Sequence, residues 1–370
     1  MLPGETIGIL GGGQLGRMIA IEAKKMGYSV ICLDPTPNSP CGQVADDQIV
    51  AGFNDLEAAI RLAERSALVL YEFENIDAGV VRELEKRYRL PQKSRILSIT
   101  QNRFLEKTEL HRTGFPVAPF KVIRNEGELS QAVEELGFPC MLKVSRGGYD
   151  GKGQLAIHGP GALPAALEQV QSSNQEWVLE KMISFTHECS AIVARNRAGA
   201  TTVFPVAENI HRDNILFMSI VPARIPPEME TAAEEAALEI AKALDIVGLL
   251  AVEFFLTAEG LLVNELAPRP HNSGHYTFDA CYTSQFEQLI RALCGLPFGS
   301  PDLLTPVVMV NILGKHLAQV LQEIPHLPPD TKLHLYGKRG DASPNRKMGH
   351  LTIRAEFPDE VVHWANKFFI

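Results

Sequence analysis

Residues 249–275 read LLAVEFFLTAEGLLVNELAPRPHNSGH. Two apolar runs flank Thr257–Gly260, so the stretch reads as a β-hairpin. If Thr257 faces Leu261, pairs with the same number sum are opposed, and Glu253 stands across from Glu265. Carboxylates directly opposite on neighbouring strands repel. These two also lie among Ala251, Val252, Phe254, Phe255, Leu262 and Val263, where an uncompensated charge is costly. A divalent cation removes both costs. Hard oxygen ligands suit Mg2+, with Mn2+ as a second candidate. The alternative is a register slip that parts the acids, but a slip of one residue would turn apolar side chains outward.

A glycine-rich stretch lies upstream: KVSRGGYDGKGQ, residues 143–154, between two apolar strands. It is not a Walker A loop, because Gly153 stands where Ser or Thr would follow Lys152. The backbone N–H groups of such a loop can cover phosphates, and Lys143 can add a point charge. A flexible turn with a solvated lysine is the competing reading. Phosphate cover beside a paired-carboxylate metal site is ATP chemistry.

That conclusion changes the reading of GILGGGQLGRM, residues 8–18. Gly11, Gly13 and Gly16 satisfy the dinucleotide fingerprint, and Asp34 ends the next apolar run. Alone, the pattern predicts NAD and a dehydrogenase. Next to an ATP site it predicts an anionic or polar ligand at the helix N-terminus, or glycines needed only for packing. YEFENI, 71–76, puts Glu72 and Glu74 at the C-terminal end of a strand, where ligands of open α/β sheets bind. Arg269, His271, Asn272 and His275 follow the hairpin. Lys338, Arg346 and Lys347 sit in a Gly/Pro-rich loop suited to a phosphate monoester.

The chain of 370 residues allows two or three domains. A net charge of −9 without a basic run excludes nucleic acid as the main partner. Six cysteines without a C-x-x-C pair predict buried thiols in a reducing compartment. With no leader pattern and no apolar run of membrane-spanning length, a cytoplasmic protein without membrane contact is expected.

Residues 1–100 alternate strands (Thr6–Leu10, Ser29–Leu33, Leu68–Tyr71) with helices (Leu15–Lys25, Leu56–Arg65, Ala78–Lys86), the pattern of a parallel α/β domain. From residue 101 helices mix with mostly antiparallel strands, an α+β pattern. Helices are expected at 101–114, Glu126–Leu136 and Glu228–Leu244. Strands are expected at Cys140–Val144, Gln154–Ile157, Trp177–Lys181, Glu188–Arg195, Thr201–Ala207, Leu249–Leu256 and Leu261–Leu266. GLPFGSPDLLTP, 295–306, marks a boundary, and a final helix is expected near Asp359–Phe368.

In order along the chain, GGGQLGRM, YEFENI, RGGYDGKGQ, AENIH, AVEFF, NELAPRPHNSGH and NRKMGH resemble the 5-(carboxyamino)imidazole ribonucleotide synthases of the ATP-grasp superfamily. The resemblance covers nearly the whole chain. It implies three parts. A pre-ATP-grasp α/β domain, 1–100, binds the acceptor. An ATP-grasp domain follows at 101–300, with a lid at about 120–182, and then a small C-terminal domain, 301–370. It implies a homodimeric ligase of purine biosynthesis that carboxylates 5-aminoimidazole ribonucleotide with ATP and bicarbonate, releasing ADP and phosphate.

For ATP the resemblance implies Arg103, Lys143, Gly148, Tyr149, Asp150, Gly151, Lys152, Gly153, Gln154, Glu180, Lys181, Met182, Ile183, Glu188, His211, Asn264 and Glu265. Glu253 and Glu265 would take the metal. Gln14, Leu15, Glu72, Arg269, His271, Asn272, Lys338, Arg346 and Lys347 would meet the ribonucleotide, with Tyr149, Asp150, Lys338 and Arg269 at the reacting centre. Ala267 stands where some ATP-grasp relatives carry Asn, which leaves the number of Mg2+ ions open. The nearest rival is the formate-dependent glycinamide ribonucleotide transformylase family, which shares PRPH but has an acid in place of Gln14. A non-catalytic nucleotide-binding regulator is the rival from another class.

Overall fold

A computed structural model describes residues 1–148, 153–340 and 343–369. Its first sheet is parallel. Strands β1 (Thr6–Leu10), β2 (Ser29–Leu33), β3 (Asp47–Ile49) and β4 (Leu68–Tyr71) lie in the order β3-β2-β1-β4. Four of the five residues of β1 and of β2, and all of β4, are buried, the expected character of parallel strands covered on both faces. Helix Gln14–Lys25 lays Leu15, Met18, Ile19 and Ala23 on this sheet. The same core cluster takes in Leu249, Phe286 and Leu289. The N-terminal unit is therefore joined to the centre of the molecule by a shared apolar core.

The second sheet is small and antiparallel. Strands β5 (Phe120–Ile123), β6 (Cys140–Val144), β7 (Gln154–Ile157) and β8 (Trp177–Lys181) run in the order β5-β8-β6-β7. Helices Glu126–Leu136 and Leu163–Gln171 close its core around Ile123, Leu129, Leu142 and Trp177.

The third sheet is antiparallel and has nine strands among the described residues. They are β9 (His187–Arg195), β10 (Thr201–Val203), β11 (Ala207–Arg212), β12 (Ile215–Val221), β13 (Gly248–Thr257), β14 (Gly260–Ala267), β15 (Val307–Leu313), β16 (Thr331–Leu335) and β17 (Lys347–Arg354). Their order is β14-β13-β9-β11-β12-β15-β17-β16, with β10 on the end of β9. Because β12 pairs with β15, the C-terminal residues extend the central sheet. Among the described residues no helix is long and apolar enough to cross a membrane, and all six cysteines are buried and unpaired.

Three sequence expectations change. The strand expected at Thr201–Ala207 is two strands, because the chain leaves β9 at Phe204–Pro205 and returns to it as β11. Proline has no N–H to continue a ladder. The helix expected from residue 101 begins at Arg103, where the Asn102 side chain caps it by accepting from Leu105 N at 3.0 Å. At the hairpin, Thr257 pairs with Gly260 rather than Leu261. A bulge then advances the register by one, so that Glu253 does face Glu265. Asn264 is the extra residue. Val263 and Leu266 both enter the core beneath, while Asn264 and Glu265 both face the cavity above.

Candidate active site

The three sheets flank an open cavity of about 730 Å³. Of the residues singled out in the sequence, it brings together Gln14, Leu15, Glu72, Arg103, Lys143, Gly148, Gln154, Glu180, Lys181, Met182, Ile183, Glu188, His211, Glu253, Asn264, Glu265, Arg269, His271, Asn272 and Lys347. Gly153 is exposed and does not line the cavity; it has φ +71°, and its carbonyl accepts from Val144 N. Lys338 and Arg346 are not part of the wall. The Lys338 ammonium donates to the Lys347 carbonyl at 2.6 Å, and Arg346 to the Arg339 carbonyl at 3.1 Å. Tyr149, Asp150, Gly151 and Lys152 lie outside the described residues.

One end of the cavity is rich in paired charge. Lys143, on β6, donates to Glu180 Oε2 on β8 at 2.9 Å, and Lys107 reaches the same oxygen at 3.3 Å. Burial pushes the Glu180 carboxyl up, but the charges of Lys143 and Lys107 outweigh it and hold the group at about 2. Burial, with Lys107 and Arg103 nearby, takes the Lys143 amine below its usual range against the pull of Glu180. Glu180 Oε1 is buried without a hydrogen-bond partner among the described residues. Arg103 links Glu265 Oε2, at 3.2 Å, to the Gly148 carbonyl, at 3.4 Å. His211 lies against Glu188 through Nδ1. Burial lowers the proton affinity of the His211 ring, and Glu188 more than restores it, so its pKa is raised.

Glu253 and Glu265 stand between the two ends. Each is steadied by a basic group, Glu253 by His271 Nε2 at 3.1 Å and Glu265 by Arg103. Burial raises the Glu253 carboxyl, but the His271 hydrogen bond, with His211 and Lys347 nearby, holds it well below the usual carboxylate range. Among the described residues, no three His, Cys, Asp or Glu side chains converge to hold a metal by themselves. Two opposed carboxylates fit a Mg2+ that completes its shell with water and substrate phosphate oxygens.

At the other end, the glycine turn is already filled. Gly13 N and Gly16 N donate to the two oxygens of Glu72, at 2.9 and 3.0 Å. Gly11 has φ +109°, and a Cβ there would run into Glu72 Cγ. The Asp34 oxygens accept from Gly12 N at 2.9 Å and Thr36 N at 2.8 Å. The donors that would cradle a dinucleotide pyrophosphate therefore serve the protein's own carboxylates. Burial lifts the Glu72 carboxyl to about 7, against the two glycine N–H groups.

Arg269 meets Glu74 at two points, Nε to Oε2 and the second guanidinium nitrogen to Oε1 at 2.9 Å. Burial raises the Glu74 carboxyl, but Arg269 holds it at about 2. The pair fastens the parallel sheet to the segment after β14.

Sequence reasoning gave no role to Lys107 or to the stacked Phe185 and Phe255 at the cavity wall, and it placed Glu74 at the ligand end of the sheet without its pairing to Arg269. Lys107 had a signal: it lies four residues after Arg103 on one helix and so shares its face. The Glu74–Arg269 pairing had none, because the two lie 195 positions apart.

Residues 4–101 match the ribonucleotide synthetase preATP-grasp domain, 108–286 the ATP-grasp domain, and 307–363 the phosphoribosylaminoimidazole carboxylase C-terminal domain. The N5-carboxyaminoimidazole ribonucleotide synthase of Bacillus subtilis (strain 168) is 50% identical over 371 residues, covering 99% of this chain and 97% of its own. This chain belongs to the N5-carboxyaminoimidazole ribonucleotide synthase family. A solved ADP complex of a synthase of this family superposes with a TM-score of 0.97 at 52% identity, covering 100% of this chain and 97% of that one. The synthase from Aspergillus clavatus, in complex with ADP and 5-aminoimidazole ribonucleotide, gives 0.92 at 30% identity, covering 100% and 98%.

Proposed function

We propose that this chain is an ATP-dependent carbon–nitrogen ligase of purine biosynthesis. It joins bicarbonate to the exocyclic amine of 5-aminoimidazole ribonucleotide, with release of ADP and phosphate. The observation that carries the reading is the shared cavity. It holds the charged cluster of Lys143, Glu180, Arg103, Glu253 and Glu265 and the acceptor-side residues Gln14, Arg269 and His271 in one shared space. Support for the substrates comes from the family relatives solved with ADP and with 5-aminoimidazole ribonucleotide.

In this mechanism a bicarbonate oxygen attacks the γ-phosphorus and ADP leaves. The resulting carboxyphosphate breaks its carbon–oxygen bond to phosphate, freeing CO2 inside the cavity. The acceptor amine attacks that carbon, forms the N–C bond and loses a proton. Lys143 and Arg103 offset charge that builds on the phosphate oxygens. Glu253 and Glu265 would hold Mg2+, which supplies Lewis-acid polarisation of the phosphates when bound. Glu188 and His211 would orient the ribose of ATP, and Lys181 to Ile183 would read the adenine edge. Arg269, fixed by Glu74, and His271 with Asn272 would orient the ribonucleotide. Lys338, Arg346 and Lys347 would serve its phosphate, and Tyr149 and Asp150 would meet the reacting atoms.

We assign acceptor binding to residues 1–100, ATP binding to 101–300 with its lid at about 120–182, and the phosphate loop to 301–370. We also propose a cytoplasmic location and a homodimer; sedimentation of the purified chain would test the dimer. The function is tested by ADP release measured with and without ribonucleotide, and with and without bicarbonate. Full release requires both. Turnover supported by formate in place of bicarbonate would instead favour the transformylase family.

A further inference from the structure

A line of buried hydrogen bonds runs beneath the acceptor end of the cavity. Ser219 Oγ on β12 donates to Asn209 Oδ1 on β11 at 2.8 Å. Asn209 Nδ2 donates to Ser190 Oγ on β9 at 2.9 Å. Ser190 Oγ donates to Ser273 Oγ at 2.7 Å, and Ser273 Oγ meets His271 Nδ1 at 2.8 Å. On the far side of the ring, Nε2 lies 3.1 Å from Glu253 Oε1. The three serines and Asn209 are buried. None of them lines the cavity.

The line has a direction. An ionised carboxylate only accepts, so Glu253 requires a proton on Nε2. The Ser273 backbone N–H, 3.3 Å from Nδ1, only donates, so it requires a lone pair there. Each hydroxyl passes on one proton. With Asn209 donating to Ser190, the hydroxyl proton of Ser273 is left to point at Nδ1. Both neighbours of the ring and the relay behind it therefore demand the same tautomer. The backbone of His271 is fixed separately: its N–H donates to Gln285 Oε1 at 2.9 Å, and Gln285 Nε2 donates to its carbonyl at 2.8 Å. What the relay controls is the ring.

We propose that Ser219, Asn209, Ser190 and Ser273 form a positioning relay that locks His271 as the Nε2–H tautomer and so aims a donor at Glu253. The functional consequence rests on Glu253 being a metal carboxylate, whereas the tautomer does not. An outer group that orients a metal carboxylate typically contributes about 10–100-fold in metal affinity or activity.

The test uses the full chain with ring-15N histidine. Long-range 1H–15N spectra are recorded without ligand, and the His271 signals are assigned from their loss in His271→Asn. In the wild type, Nε2 should carry the proton and Nδ1 should accept. Asn209→Asp puts an acceptor where the donor was and reverses the relay. The proton should move to Nδ1, kcat should fall about 10–100-fold and Mg2+ half-saturation should rise, with the ribonucleotide KM little changed. If Asn209→Asp does not fold, Ser273→Ala removes only the hydroxyl. It should change the Nδ1 signal and lower kcat about tenfold or more. A wild-type Nδ1–H tautomer overturns the proposal. So does a folded Ser273→Ala with wild-type kcat and Mg2+ dependence. A wild type that releases no ADP in response to ribonucleotide and bicarbonate would refute the assigned reaction, while its spectrum still decides the tautomer.

Discussion

Glu253 faces Glu265 across the β13–β14 ladder because Asn264 is an extra residue in β14. A regular strand alternates its faces, so Asn264 and Glu265 would point to opposite sides. The bulge turns both toward the cavity and leaves Val263 and Leu266 in the core. If the pair holds Mg2+, Glu265→Gln keeps the shape and removes one ligand charge. ATP turnover should fall at least tenfold while the thermal midpoint is retained. Near-normal turnover at modest Mg2+ would reject the paired-carboxylate site.

The Glu74–Arg269 pair should matter to both stability and substrate. Glu74→Ala leaves a largely buried guanidinium without its partner, which costs about 3 kcal/mol when such a pair is broken. Denaturant unfolding checks this. The KM for the ribonucleotide should rise more than the KM for ATP, because Arg269 loses its orientation at the acceptor end. Equal changes in both values would place Arg269 outside the acceptor site.

The filled glycine turn leads to a binding prediction. Ribonucleotide should raise the thermal midpoint and NAD should leave it flat, since only a ligand of the native state stabilises it. Gln14→Ala should weaken ribonucleotide binding by about 1–2 kcal/mol, the worth of one or two neutral hydrogen bonds. Basal ATPase activity should be little affected. A rise with NAD that vanishes in Asp34→Ala would restore the dehydrogenase reading.

Glu106 lies on the Arg103–Arg112 helix, buried beside Glu265, and burial together with that neighbour lifts its carboxyl to about 8. The unfolded chain loses this proton near 4.5, while the native state keeps it to about 8. Between those values the native state binds more protons, so this group makes stability fall as pH rises. Glu180 and Glu74 act in the opposite sense. Held at about 2, they contribute stability above about 4.5 that is lost as pH falls toward 2. Glu106→Gln should therefore lose less stability than the wild type between pH 5 and 8, by on the order of a few kcal/mol. Parallel unfolding curves for the two proteins across that range would contradict the assignment.

Much of the site was legible because its motifs are local. The glycine spacing, the hairpin with two acids and the basic segment after it each announce their chemistry within a dozen residues. The bounds of β1, β2, β4, β6, β7 and β8 also follow directly from hydrophobic runs. β12 was missed although, like β4, it is a continuous apolar run buried along its whole length. The bulge at Asn264 escaped as well, since register depends on which face packs against the core. The sequence by itself determined the residue types at the site and their order along the chain, because composition and spacing are local properties. Only the tertiary structure decided that Glu72 fills the glycine turn, that Glu74 holds Arg269, and that a serine–asparagine relay stands behind His271. Apart from Ser219–Asn209 and Ser273–His271, those pairings join residues from 19 to 195 positions apart, and nothing in local pattern carries a contact made by the packing of separate sheets.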